Sequence, residues 1–149
     1  MARSRLSSLS FLTLVSVLGL AACGQEVGRV SCEQGTAKTS EFEIEGAKPA
    51  AFWTDLDVEY DGNPEMYYEI EVELDGEVVA ERTCHALDVN TKINSVTSDM
   101  GNHHTRRWQG KMKCEPFELE DTATVKITST FDVKGEGAAV SGCDLVVKQ

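Results

Sequence analysis

Residues 66 to 76 read Met66-Tyr67-Tyr68-Glu69-Ile70-Glu71-Val72-Glu73-Leu74-Asp75-Gly76, and this run decides the fold class. Met66, Tyr68, Ile70, Val72 and Leu74 take every second position, with Glu69, Glu71 and Glu73 between them. A period of two puts one face of a strand into an apolar core and the other into water. The run stops at Asp75-Gly76, which suits a two-residue type I′ turn because both central residues need positive φ. A return strand is therefore expected from Glu77 to about Cys84.

The same period extends outward from this hairpin. Phe42 and Ile44 alternate with Glu41, Glu43 and Glu45, and Phe52, Leu56, Val58 and Tyr60 share a face opposite Trp53, Asp55, Asp57 and Glu59. Further strands are expected from Leu87 to Val96, Arg106 to Cys114, Thr122 to Val133 and Ala139 to Val147. Pro49, Pro64 and Pro116 fall between the runs, where a missing backbone donor is tolerated. No helical period of useful length follows residue 30. Eight or so short alternating strands predict an all-β domain, an antiparallel β-sandwich of immunoglobulin-like or jelly-roll type, with a small closed β-barrel as the alternative.

A chain of 149 residues, 41% hydrophobic and 26% charged, fits one globular domain. Its formal net charge of −11 argues against a general nucleic-acid binder, which needs Lys and Arg in excess.

Arg3 and Arg5 precede an apolar run from Leu6 to Leu20 that ends in Ala21 and Ala22, the pattern of a secretory signal peptide. The final stretch, Leu20-Ala21-Ala22-Cys23, resembles the lipobox of bacterial lipoproteins. That resemblance implies cleavage before Cys23, a diacylglyceryl group on its thiol and a membrane anchor of two or more acyl chains. Gly24 stands where an Asp would retain an enterobacterial lipoprotein at the inner membrane, so the resemblance implies the outer membrane. The organisation expected is a signal peptide at 1–22, a lipidated tether at 23–29 and a sandwich domain at 30–149. A seven-residue tether reaches at most ~25 Å, so the domain should sit close to the lipid.

Cys32, Cys84, Cys114 and Cys143 remain, an even set in an exported chain, and two disulfides are their expected use. Of three possible pairings we favour Cys84 with Cys114, bracketing a long loop, and Cys32 with Cys143, tying the opening and closing strands. The spacings lack the close ligand pairs of a zinc site.

Residues 41 to 81 hold 14 acidic side chains and a single base, Lys48. If strands at 41–45, 55–61 and 69–73 are neighbours, their carboxylates repel across the pairs. Relief is expected from Arg107, Lys111 and Lys113 on one strand face, helped by Arg82, or from a basic partner protein or a divalent cation. Asp57 to Asn63 imitates the first half of an EF-hand loop, but Tyr68 occupies the position of its bidentate Glu, so no metal is assigned. The segment Asn102 to Trp108 is the most basic and aromatic of the chain. Its His103, His104, Arg106, Arg107 and Trp108 are the candidate ligand-binding residues, on an exposed loop from Asp99 to Trp108. An anionic lipid headgroup or a glycan is a candidate ligand for this segment.

Nucleophile-elbow, zincin and phosphate-loop motifs are absent, so neither catalysis nor a cofactor is expected. Two functions follow as expectations. The first is a lipid-anchored envelope protein that binds or assembles a partner. The second is an inhibitor of a basic hydrolase acting through the acidic surface of residues 41–81. The chain shares small size, anchoring and acidity with lipoprotein inhibitors of lysozyme but lacks their central motif.

Overall fold

A computed structural model of the chain describes residues 24–149. The leader at 1–22 and the expected lipid attachment residue Cys23 lie outside the described residues. Nine strands follow: β1 (Glu26–Val30), β2 (Lys38–Ile44), β3 (Ala51–Asp61), β4 (Glu65–Leu74), β5 (Glu77–His85), β6 (Val89–Met100), β7 (His103–Met112), β8 (Ala123–Lys134) and β9 (Ala138–Lys148). They form two antiparallel sheets packed as a sandwich, ordered β1-β9-β3-β7-β6 and β2-β8-β4-β5. The pairs β1 with β9, β2 with β8, β3 with β7 and β4 with β5 are nested, so the chain doubles back on itself and rolls. This is the jelly-roll arrangement, with β6 added at one edge. An immunoglobulin sandwich would keep its first two strands side by side, whereas β1 and β2 lie in opposite sheets.

The alternation read from the sequence explains the core. Each strand has one dry face, so the two sheets must meet through those faces. Phe52, Leu56 and Val58 of β3 and Leu145 and Val147 of β9 pack in one core with Tyr68, Ile70 and Val72 of β4 and Val125, Ile127 and Phe131 of β8. The hairpin at Asp75-Gly76 has φ of 51° and 85°, the positive pair its turn type requires.

One polar contact crosses this core. The buried Tyr68 hydroxyl donates to the Cys143 carbonyl at 2.8 Å, which leaves the Thr54 hydroxyl as donor in the 2.7 Å bond between the two side chains. Burial pushes the Tyr68 phenol well above its ordinary value of 10.0. Three strands of two sheets are thereby pinned in one register.

Disulfides join Cys32 to Cys143 and Cys84 to Cys114, the pairing favoured from the sequence. The first continues the β1/β9 ladder two residues past Val30 and Leu145. The second ties β5, an edge of the four-stranded sheet, to the chain just after β7 in the other.

Two boundaries differ from expectation. The tether at 23–29 is mostly strand: β1 starts at Glu26, and Gln25 and Gln149 exchange backbone hydrogen bonds of 2.7 and 3.0 Å. A register shift between Glu26 and Gly28 breaks the alternation that would have revealed it. Gly28 is needed there, since a Cβ would lie 2.3 Å from the Phe42 ring. The second difference is β6, which runs on to Met100, so the expected loop from Asp99 to Trp108 is a hairpin turning at Gly101-Asn102. Among the described residues no helix is long and apolar enough to cross a membrane.

Replacing Tyr68 by Phe strands the Cys143 carbonyl and the Thr54 hydroxyl in the core. The expected loss is about 1–3 kcal/mol. It should be read as a lowered urea midpoint with an unchanged slope.

Candidate functional site

The five-stranded sheet carries one strand more than its partner, and the extra one, β6, is exposed along most of its length. It packs chiefly on β7, and its far edge has no strand beside it. Register divides the hairpin's side chains between two faces. Thr97 and Asp99 lie opposite Arg106 and His104, on the side of Tyr60. Val96, Ser98 and Met100 lie opposite Arg107, Thr105 and His103, on the outer face.

On the Tyr60 side, Asp99 Oδ1 accepts from Arg106 at 2.7 Å and pairs with His104 Nδ1 at 2.5 Å. Arg106 also donates to the Ser98 and Thr105 carbonyls at 3.1 and 2.9 Å. The Tyr60 ring lies tilted against His104, centroids 5.1 Å apart, with the Arg106 guanidinium 5.8 Å above it. Hydrogen bonds from His104 and then Arg106 hold the Asp99 carboxyl below its ordinary 3.8. On the outer face, Arg107 pairs with Asp57 at 2.9 Å and His103 with Asp61 at 3.0 Å. Four of the five residues singled out from the sequence therefore gather at this end of the sheet, on two faces, each engaged with a carboxylate.

Trp108 does not join them. It pairs with Leu56 and points into the core, 3% exposed. Gly110 makes room for it, because a Cβ there would sit 2.9 Å from the indole. Its Nε1 is buried without a hydrogen-bond partner, and Lys92 lies 4.2 Å over the ring.

The sequence reading missed the apolar part of this surface. Val96 is 53% and Met100 71% exposed, two same-face positions of Val96-Thr97-Ser98-Asp99-Met100, where β6 continues past the expected strand end at Val96. The residues between them are polar, so no apolar period of two announces this patch in the sequence.

The acidic third is not one surface. β2 and β4 are separated by β8, and β3 lies in the other sheet, so the expected neighbours at 41–45, 55–61 and 69–73 do not meet. Relief also comes from other side chains than expected. Arg29 reaches Glu26, Asp55 and Asp144 at 3.1, 2.7 and 3.3 Å, and those carboxylates, Glu26 first, raise its pKa. Lys126 pairs with Glu73 at 2.8 Å and is likewise raised. Arg107 acts as expected on Asp57, but Lys113 pairs with Asp88, Lys111 has no carboxylate among the described residues, and Arg82 donates to the carbonyls of Glu81, Glu115 and Pro116 and lies 3.8 Å from the Glu115 carboxylate. Glu71 stands opposite Glu81, and with Glu69, Arg82 and three threonines they line a shallow depression of about 450 Å³ in which none of the three glutamates has an ion-pair partner among the described residues.

No protein-family model matches the chain, and no curated protein matches it. Among the described residues no three His, Cys, Asp or Glu side chains gather as metal ligands.

The hairpin cluster has a pH signature. Because the folded Asp99 carboxyl is depressed, its contribution to hairpin order is full above the unfolded value and is lost as pH falls through the folded one. A carboxyl NMR titration should place the Asp99 midpoint below 3.8. His104→Gln and Arg106→Gln should each raise it.

Proposed function

We propose that this chain is a lipid-anchored cell-envelope protein that acts as a non-catalytic binding or assembly module, offering its β6–β7 hairpin to a partner protein. The observation that carries this reading is the exposed pair Val96 and Met100 on a free edge strand, flanked by Arg107 and His103. Apolar side chains ringed by Arg and His are the makings of a contact hot spot. An unpaired edge also offers backbone donors and acceptors to an added strand.

The lipobox supplies the address and two disulfides suit an oxidising compartment. Geometry supports the division of labour. Gly24 lies beside Gln149 at one end of the five-stranded sheet, and β3 runs from Ala51, beside Lys148, to Asp61, beside His103. Eleven residues of strand span about 33 Å, so a chain anchored at Cys23 holds the hairpin tip well off the lipid surface. For that reason the reading drops a lipid headgroup as the ligand of residues 103–107.

A second reading, inhibition of a basic hydrolase, is favoured by one observation only, three glutamates, Glu69, Glu71 and Glu81, around a depression that holds a single base, Arg82. It now concerns this one sheet face rather than all of residues 41–81.

Four variants test these readings. Cys23→Ser should leave the precursor uncleaved at that bond and shift the protein out of the floating membrane fraction. A photo-reactive side chain at position 100 should give a discrete partner adduct in cells, and Val96→Glu should weaken that partner by about 2 kcal/mol or more. Reversing Glu69, Glu71 and Glu81 to Lys should leave the adduct intact. If the reversal abolishes it and position 100 yields none, the acidic face is the contact surface.

A further inference from the structure

At the end of the five-stranded sheet where the described chain begins, Gly24, Ala51, Trp53, Lys111, Pro116 and Lys148 line a cleft of about 280 Å³. Trp53 and Lys111 are cross-strand partners on the outer face. Lys148 is 7% exposed, and its Nζ donates to Gln109 Oε1 at 2.5 Å while lying 4.3 Å from the centre of the Trp53 ring. Among the described residues neither Lys148 nor Lys111 has a carboxylate within ion-pair distance, although Arg29, Arg107, Lys113 and Lys126 each have one. A buried ammonium with one neutral acceptor and a ring face is poorly compensated for its lost hydration. An anion entering beside it would complete the site.

We propose that this cleft binds the phosphate-bearing headgroup of an anionic membrane phospholipid. Gly24 is part of the cleft wall, and the residue before it in sequence is Cys23. The source of the lipid rests on the anchoring reading above: lipid on Cys23 brings the cleft to the bilayer surface within one residue. Lysines take the phosphate there, and Trp53 with Ala51 and Pro116 offers apolar contact to the glycerol and first methylenes. Trp and Lys are the side chains that partition to the headgroup level, and basic clefts bind anionic headgroups. The arrangement also meets an electrostatic need, since the acidic domain is otherwise repelled by an anionic leaflet.

The full chain in zwitterionic detergent micelles is titrated with dihexanoyl-phosphatidylglycerol, dihexanoyl-phosphatidylcholine or inorganic phosphate. The readout is the Trp53 indole N–H resonance, assigned with Trp53→Phe. A saturable displacement by the glycerol lipid alone is expected, about tenfold weaker or more in Lys148→Met and in Lys111→Gln. An equal response to phosphatidylcholine overturns the anion requirement, and an equal response to phosphate overturns the lipid. No response, or one indifferent to both lysines, overturns the site itself. If Lys148→Met fails to fold, the half-buried Lys111 decides alone. Cys23→Ser keeps the titration whenever the cleft reading is right, so loss of anchoring and loss of lipid binding are separate results.

Discussion

The pairing of β1 with β9 is the constraint on which the rest depends. Five residues at the start of the domain lie against the last strand, Val30 beside Leu145, and the Cys32 to Cys143 bond locks the far end of that ladder. It covers one side of β9 and buries Val30 completely, which closes the core at the edge opposite β6. It also fixes where the chain leaves the domain. Because Gln25 and Gln149 are bonded to each other, whatever precedes Gly24 departs from the Lys148 end of the sheet, and the β6–β7 turn lies at the other. A disulfide that holds this ladder constrains the unfolded chain over a separation of 111 residues, where loop-closure entropy is large.

Legibility in the sequence followed periodicity. β3, β4 and β8 alternate through their inward faces, so most of their burial could be read from residue type, with the buried Thr54 and Ser129 as the exceptions. β1 and the last four residues of β6 escaped; both strands carry register shifts, and an inserted residue reverses the face on which each later side chain falls. In β6 the second shift lies between Ile93 and Val96, with Asn94 at φ 52°, and after it Thr97, Ser98 and Asp99 are too polar to announce a strand. Among the candidate residues the same rule acted at close range. His104, Arg106 and Trp108 share a parity, so one face of β7 carries all three, and only the covering by β4 and its neighbours turns Trp108 into core while leaving Arg106 at the rim. Parity is in the sequence; how far the second sheet extends is not.

The roll also resolves the charge problem posed by residues 41–81. A linear reading sets three glutamate- and aspartate-rich strands side by side, but nesting inserts a strand between two of them and sends the third to the opposite sheet. The inserted strand, β8, presents Thr124, Lys126, Thr128 and Thr130 to its neighbours' carboxylates, and Thr128 bonds Thr39 at 2.9 Å. Like charges stand directly opposite one another at Glu71 and Glu81 of the outer pair and at Asp55 and Asp144 of β3 and β9, where Arg29 reaches both carboxylates. The topology thus lowers repulsion without many basic residues, and the bases that remain are used singly. Arg29 serves three carboxylates, whereas Lys111 and Lys148 are left with none.

A twelve-residue edge strand with no strand beside it among the described residues is a hazard for any protein, because it templates pairing with other chains. β6 manages this with two register shifts that twist the edge and with Lys92 and Asp99 along it. The protection is uneven. Both shifts lie before Val96, whereas the last five residues pair regularly with β7 and carry the exposed Val96 and Met100. The Asp99, His104 and Arg106 contacts stiffen that same regular end, which lowers the conformational entropy a partner must remove on binding. An edge interrupted along its first half and left regular in its second, with Val96 and Met100 exposed, is the feature on which the proposed contact with a partner rests.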